Sequence, residues 1–193
     1  MRTIPVQSVR KIKKATPSIE NKIKVKISFG KDRVTIEGKE VEEYLVSQII
    51  RSIDFGFDVE DALLLLNNDF VLEFIDIKSH TRRKNLKDVR ARLIGTDGKA
   101  KKTIENLTGC VIVVNENTVG IIVDANHLDT TIQGIECLIQ GAKHGNVFSY
   151  LEKNNSARRL LRDEDLGLKE KYVKMGLEVL EETEGSIEED EEE

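Results

Sequence analysis

The 193-residue sequence has little of the chemistry on which many enzymes and metalloproteins rely. It has two cysteines, Cys110 and Cys137, far apart in apolar segments, and three histidines that form no cluster with them. This usage predicts reduced thiols in the core rather than a disulfide or a metal pair. No Ser/His/Asp set, Cys/His set or carboxylate cluster in a structured segment indicates an enzyme. We therefore expect a protein with no metal, no cofactor and no catalysis of its own.

Long apolar runs and nucleotide-binding glycine motifs are also missing. No run approaches the roughly 20 apolar residues that span a bilayer, and the first residues lack the apolar stretch of a secretory signal. Gly98-Lys99 is followed by Ala100 rather than Ser or Thr, and no G-x-G-x-x-G is present, which excludes a P-loop and a dinucleotide site. We expect a cytoplasmic protein without a membrane partner.

The net charge of −5 hides a basic body. Residues 181–193 carry nine carboxylates and no Lys or Arg, which predicts a disordered tail. The remaining chain has 30 basic and 26 acidic residues, a net charge of about +4. Residues 78–102 and residues 1–33 each hold ten Lys or Arg against two acids. One such cluster is usually a solvated face, but two favour a polyanion, and nucleic acid is the polyanion we expect.

A shift of 86 residues aligns the chain with itself without gaps, and both copies then read as strand, strand, helix. The aligned pairs are Val25 with Val111, Ile27 with Val113, Ile36 with Ile122, and Ile53 with Ile139. Alternating apolar runs around turn residues predict the hairpins, and apolar spacing of three to four residues predicts the helices. The predicted segments are strands 23–29 and 34–36 with helix 40–53, and strands 111–114 and 119–123 with helix 128–140.

Before the second hairpin lie further elements. Phe70–Ile77 is a predicted strand, and a basic linker leads to a short helix that ends at Ile94. The turn Gly95-Thr96-Asp97-Gly98 follows, and then a helix from Lys99 to Leu107 that Gly109 terminates. The order is β-α-α-β-β-α. With Gly-x-x-Gly between its two short helices, this unit resembles the type I KH domain, which clamps single-stranded RNA.

The residues of this turn suit an anion. Glycine lacks the Cβ that would hold a phosphate away, and the amides and dipole at a helix start attract negative charge. Lys99, Lys101 and Lys102 stand in the first turn of the following helix. Ile94 and Ile104 have two possible roles, as the floor of a groove for bases or as plain core.

The first copy lacks the turn, because Val9-Arg10-Lys11-Ile12 lies opposite it. We predict an α+β fold of two tandem type I KH-like domains, the first degenerate, which supports the second or adds nonspecific contacts. The predicted boundaries are 1–68 for the degenerate domain and 69–154 for the domain with the loop, followed by a helical extension 155–180 and the tail 181–193.

The strand at residues 110–114 is apolar on both faces, with Val111 and Val113 on one and Cys110, Ile112 and Val114 on the other. A strand apolar on both faces is buried on both. We therefore expect the second sheet to be covered by the first domain or by the C-terminal helix.

Three blocks, residues 55–63, 92–109 and 139–148, resemble the archaeal member of the partner-of-Nob family. The resemblance implies a factor for small-subunit rRNA processing and ribosome assembly that binds single-stranded RNA at the 3′ region of this rRNA. It also implies two protein partners, a PIN-domain endonuclease and the alpha subunit of translation initiation factor two. Thr96 departs from the family, which usually has a basic residue there, and with Asp97 it leaves the loop without positive charge.

The predicted RNA-binding residues are Arg82, Arg83, Lys84, Arg92, Ile94, Gly95, Thr96, Asp97, Gly98, Lys99, Lys101, Lys102 and Ile104. The alternative is a protein-binding adaptor for a translation initiation factor or a nuclease, with little RNA contact.

Overall fold

The computed structural model describes residues 1–155, of which 1–151 form one compact unit that contains two three-stranded antiparallel sheets. The predicted tail, and the predicted extension beyond residue 155, lie outside the described residues. Within residues 1–155, no helix is long and apolar enough to cross a membrane.

The first repeat contains three strands and three helices. They are β1 Arg2–Pro5, α1 Val9–Glu20, β2 Lys26–Phe29, β3 Arg33–Glu37, α2 Glu40–Phe55 and α3 Val59–Ala62. A 3₁₀ turn, Leu63–Leu66, follows α3. Helix α1 buries Ile12, Ala15, Thr16 and Ile19, a spacing that places one apolar face against the sheet.

The second repeat has the β-α-α-β-β-α order, with one additional helical turn before the first of its two short helices and one additional helix at the end. Its elements are β4 Phe70–Asp76, the single turn α4 Ile77–His80, α5 Leu86–Ile94, α6 Lys99–Thr108, β5 Val111–Asn115, β6 Thr118–Asp124, α7 Leu128–Gln140, and α8 at residues 144–155. The strand order is β4-β6-β5, and the first sheet has the same arrangement as β1-β3-β2. The predicted fold class is confirmed, and the first repeat differs in having one helix between its first two strands.

The repeat spacing is 85 residues, so the predicted 86 is wrong by one. In the hairpins, Ile27 pairs with Ile36 and Ile112 pairs with Ile121, and each second-repeat residue lies 85 positions after its counterpart. The same spacing aligns Gly56 with Gly141, Ala15 with Ala100, and Ile19 with Ile104, pairs that share the same place at a helix end or in a core. It therefore extends from the hairpins into the helices on both sides.

An error of one residue exchanges the two faces of a strand. Cys110 and Ile112 belong to the core beneath the helices of their own repeat. Val111 and Val113 instead pack, with Ile122, against the core of the first repeat. The expectation that the first domain covers the second sheet is confirmed, on the face that Val111 and Val113 occupy.

Gly120 allows the two repeats to approach closely. A Cβ at this position would lie 2.7 Å from Cε1 of Phe55 and 2.8 Å from Cε2 of Phe57, both in the first repeat. Nearby, the Asn115 side-chain amide donates a hydrogen bond of 2.9 Å to the Phe55 carbonyl. Gly120 is therefore required for space in the interface between the repeats.

We expect Gly120→Ala to destabilise the protein by about 1–3 kcal/mol, the usual cost of an overpacked core position. Denaturant unfolding followed by circular dichroism measures it. Gly145→Ala, near the start of α8, is the control, because a Cβ there would meet no atom within 4 Å outside its chain neighbours and its own helix. Since alanine favours a helix more than glycine does, we expect this variant to be as stable as the wild type or more stable by at most about 1 kcal/mol. Equal stability of the two variants would show that the repeats do not pack at Gly120.

Candidate nucleic-acid interface

The loop between α5 and α6 has a backbone that depends on glycine. Gly95 has φ 73° and ψ 177°, Asp97 has φ 53° and ψ 29°, and Gly98 has φ 75° and ψ 10°. The Gly95 conformation is almost confined to glycine, whereas aspartate tolerates the left-handed region. The predicted turn is therefore present, and α6 begins directly after it.

The two glycines of the loop have different physical roles. A Cβ at Gly95 would lie 2.6 Å from the Ala100 Cβ and 2.8 Å from the Ala100 nitrogen. At Gly98, no described atom lies within 4 Å of a built Cβ. Gly95 thus allows the loop to pack on α6, and Gly98 leaves its backbone open to a ligand.

The start of α6 favours an anion. The first amides of a helix have no acceptor within the helix and carry its positive dipole end, and the first turn of α6 contains no acidic residue. Lys99 and Lys102 are exposed. Lys101 is half-buried, with its Nζ 3.6 Å from Oε1 of Glu105, so the three lysines point in different directions.

The two predicted groove residues lie in different environments. Ile94, beside the loop, is 39% exposed, whereas Ile104 is only 1% exposed. Ile104 packs with the core of the second repeat, so of its two possible roles the burial favours the core. Its spacing in α6 matches Ala100, which also faces the core.

The predicted basic residues before the loop lie in two places. Arg82, Arg83 and Lys84 are exposed in the segment between α4 and α5. The Arg92 Nη2 donates a hydrogen bond of 2.6 Å to the Ala142 carbonyl. Arg92 therefore fixes the end of α5 to the chain that enters α8.

Three residues near the loop were not among the predicted site residues. Arg90 donates from Nη1 to the Glu116 carbonyl at 2.8 Å, which ties α5 to the β5–β6 hairpin. His144 and Phe148, on α8, line a cleft beside the loop. Both belong to the block at residues 139–148 whose likeness to the family was visible in the sequence, but their contact with the loop is tertiary.

The first repeat has no corresponding loop. Residues 10–13, which lie 85 positions before Gly95–Gly98, are inside the continuous helix α1. The exposed basic side chains of this helix are Arg10, Lys11, Lys13 and Lys14. The first repeat therefore offers positive charge without a backbone turn.

The cysteines are core residues of the second repeat, as predicted. Both are free thiols, and Cys110 is buried while Cys137 is half-buried. Burial raises the pKa of Cys110 to about 11, which keeps it protonated and unreactive near neutral pH. Among residues 1–155, no group of three or more His, Cys, Asp or Glu is placed to hold a metal ion.

A β-α-α-β-β-α unit with a glycine loop between its first two helices is a type I KH domain, a module that binds single-stranded nucleic acid. In agreement, residues 71–156 match the model of the eukaryotic type KH domain (KH domain type I) that describes the second KH domain of PNO1.

Relatives cover more of the chain. It is 34% identical over 154 residues to a KH domain-containing protein of Methanocaldococcus jannaschii, across 76% of this chain and 68% of that protein. It is 30% identical over 108 residues to the pre-rRNA-processing protein pno1 of Aspergillus oryzae, across 54% of this chain and 42% of that protein. The chain thus spans less than half the length of this fungal relative.

Solved structures agree. The Dim2p structure from Pyrococcus horikoshii superimposes with a TM-score of 0.71 at 28% identity, covering 79% of this chain and 98% of that chain. Dim2p in a complex of a/eIF2alpha, aDim2p and rRNA from the same organism gives a TM-score of 0.72 at 27% identity, covering 81% and 94%. The chain belongs to the family of KH-domain pre-rRNA-processing proteins that includes PNO1 and Dim2p, and the predicted resemblance is confirmed.

The different roles of the loop glycines predict different costs of replacement. We expect Gly95→Ala to cost about 3 kcal/mol of folding stability, because backbone strain adds to the clash with Ala100. Gly98→Ala introduces backbone strain without a clash, and we expect it to cost about 1–2 kcal/mol of folding stability. Urea unfolding of both variants measures the difference, and a larger loss for Gly98→Ala would contradict the geometry.

Proposed function

We propose that this protein binds single-stranded RNA through the Gly95–Gly98 loop and acts in small-subunit rRNA processing and ribosome assembly. The observation that carries the proposal is the open backbone at Gly98, which caps the N-terminus of α6. A phosphate placed there would meet free amides, the helix dipole and the exposed side chains of Lys99 and Lys102. Asp97 is the only charged residue of the loop itself, so the attraction comes from α6 and the flanking arginines.

The proposed RNA is the 3′ region of small-subunit rRNA. The P. horikoshii complex contains rRNA together with Dim2p, which supports an rRNA target, and the choice of the 3′ region follows the family resemblance. We propose no catalytic role for this chain, and the partner that would cut the RNA is a PIN-domain endonuclease. The proposed division of labour places the loop domain at residues 69–154 and the degenerate domain at 1–68.

The first repeat supplies a second, weaker RNA contact in this proposal. Four exposed basic residues of α1, Arg10, Lys11, Lys13 and Lys14, form a charged surface without a turn to hold a phosphate in one place. Contacts of that kind raise affinity at low salt without selecting a sequence.

An apolar surface between α2 and β4 favours a protein partner as a second function. Val41 is 70% exposed and Tyr44 is 52% exposed on α2. Together with Leu45, Leu65 and Leu72 they line a groove of about 290 Å³. Exposed apolar patches of this kind mark protein interaction sites, and the partner we propose is the alpha subunit of translation initiation factor two, which the P. horikoshii complex contains beside Dim2p.

The clamp is tested by adding a charge at Gly98. We expect Gly98→Asp to weaken binding of a ten-nucleotide single-stranded RNA at least about tenfold, because a carboxylate would repel the phosphate and fill the open space. Fluorescence anisotropy at two salt concentrations measures the affinity. The control is Gly109→Asp, at the other end of α6.

Gly109 is closely matched to Gly98. It has φ 68° and ψ 16°, and no described atom lies within 4 Å of a built Cβ. Gly109→Asp thus adds the same charge and similar backbone strain outside the loop, and we expect a change of less than about threefold. An equal loss of RNA affinity in both variants would show that the added charge acts by general electrostatic repulsion and not at a phosphate site in the loop.

The protein surface is tested by Val41→Asp. This exposed position in the first turn of α2 tolerates an acid, so we expect normal folding and normal RNA affinity. Binding of the initiation-factor alpha subunit, measured by calorimetry, should weaken about tenfold or more, since a charge in an apolar contact must be desolvated. Unchanged binding of the subunit would remove this surface from the proposal.

A further inference from the structure

A cleft of about 500 Å³ lies beside the glycine loop, on the side where α8 begins. Its lining comes from three places: Arg92 at the end of α5, Thr96 in the loop with Lys99 and Thr103 on α6, and His144 and Phe148 on α8. The volume is in the range of pockets that hold small organic ligands. Gly95 and Thr96 of the loop form one wall of this cleft, so the cleft opens next to the loop.

The cleft lies on the flank of α6 that faces away from β5. Lys99 and Thr103 are four residues apart and share one side of the helix. Lys101 and Glu105 share the other side, where the Glu105 carboxylate accepts a hydrogen bond of 2.9 Å from the Ile112 amide of β5. The cleft is therefore separate from the face of the domain between α6 and the edge strand β5.

Two aromatic rings form the apolar wall. His144 and Phe148 are one helical turn apart on α8, and their ring centroids are 5.9 Å apart. Both residues are half-buried and line the cleft. Unpaired bases stack on such aromatic side chains, and this stacking accepts any base because each has a π face.

The polar groups around the cleft are held in place and favour an anionic chain. His144 Nε2 hydrogen-bonds the Arg92 carbonyl at 2.9 Å, and the Arg92 side chain holds the Ala142 carbonyl. Arg92 Nε is buried and has no hydrogen-bond partner among the described residues, so the cation that a ligand in this cleft can reach is the exposed Lys99. Within the described part of the chain, no carboxylate lines this cleft.

A second cleft, partly lined by arginines, lies where the segment between α4 and α5 meets the end of α7. It has a volume of about 450 Å³ and is lined by His80, Thr81, Arg82, Arg83 and Gln140. The Arg83 guanidinium lies against Gly141, 2.6 Å from where a Cβ there would be. Gly141 is next to Ala142, which Arg92 contacts, so the linker arginines continue the positive surface from the first cleft.

We propose that the cleft between the glycine loop and α8 is a nucleotide subsite, in which one base of a single-stranded RNA stacks on Phe148. The neighbouring phosphate lies at Gly98 and Lys99, and the strand continues toward Arg82 and Arg83. This inference rests on the proposed RNA-binding function and adds to it a subsite formed by α8, outside the β-α-α-β-β-α unit. The residue that identifies the subsite is Phe148.

The experiment compares two aromatic-to-leucine variants with two oligonucleotides. Phe148→Leu removes the ring from the cleft but keeps an apolar side chain in the core, and Tyr150→Leu removes a ring of the same helix that does not line the cleft. Each variant of the full chain is titrated with a uridine decamer and with an abasic decamer that has the sugar–phosphate chain alone. Thermal unfolding establishes that both variants are folded.

We expect Phe148→Leu to weaken binding of the uridine decamer about tenfold, the typical effect of losing one stacked base, and to leave binding of the abasic decamer unchanged. Tyr150→Leu should change neither. Crosslinking of a 4-thiouridine decamer should label the peptide that contains residues 144–148.

Three results would overturn the subsite. Phe148→Leu could behave as Tyr150→Leu does, it could weaken the abasic decamer equally, or the crosslinks could fall only on the β5–β6 hairpin. If one of these results occurred while Gly98→Asp still lost RNA binding, the loop would remain the RNA-binding site and the subsite at Phe148 would be rejected. If the wild-type chain bound neither decamer, the RNA-binding proposal itself would fail.

Discussion

The apolar contact between the second sheet and the first repeat is the constraint on which the structure depends. Ile122 is completely buried in it, with Val111 and Val113 beside it. A buried side chain of this size contributes roughly 1.5–3 kcal/mol, a substantial part of the roughly 5–15 kcal/mol that stabilises a typical protein. The second sheet thus has no solvated face at its centre: its own helices cover one side, and the first repeat covers the other. This leaves the loop at the end of α5 free to be an open surface, since the loop takes no part in that contact.

The elements of the second repeat were predictable because each carries its own periodicity, whereas helix α1 was not predicted and the strand predicted at 23–29 begins only at Lys26. The hairpin around Glu116, the helix from Leu128 to Gln140 and the strand that starts at Phe70 have the predicted bounds within about a residue. The spacing of the repeat was predicted wrongly by one residue, and the reason is physical. Where both faces of a strand are buried, as at Val111-Ile112 and Ile121-Ile122, a register of 85 and one of 86 match apolar residues equally well. Hydrogen-bond pairing distinguishes them, and it becomes visible only in the sheet.

The site, too, has some features that the sequence predicts and others that only the packed structure shows. The order of elements around Gly95–Gly98 predicts the loop and the start of α6, but it treats the two glycines alike. Their difference comes from the position of Ala100, which touches a Cβ at one glycine and is remote from the other. Ile104 was ambiguous in sequence because an apolar residue four positions after Ala100 fits a core and a groove equally. The cleft residues His144 and Phe148 are more than 40 positions after Lys99, and only tertiary packing brings them together.

Both repeats expose basic residues, but only the second has the glycine loop. The 85-residue spacing aligns α1 with α6, with the buried Ala15 and Ile19 opposite the buried Ala100 and Ile104, so α1 corresponds to the second helix of the unit and the first repeat has no counterpart of the first. Without a preceding helix there is no turn to cap, and α1 continues through the positions of the loop. The basic residues there remain exposed on a regular helix. In the proposed function, the core of the first repeat supports the second, the basic residues of α1 add long-range attraction to RNA, and a phosphate is held where the backbone opens at Gly98.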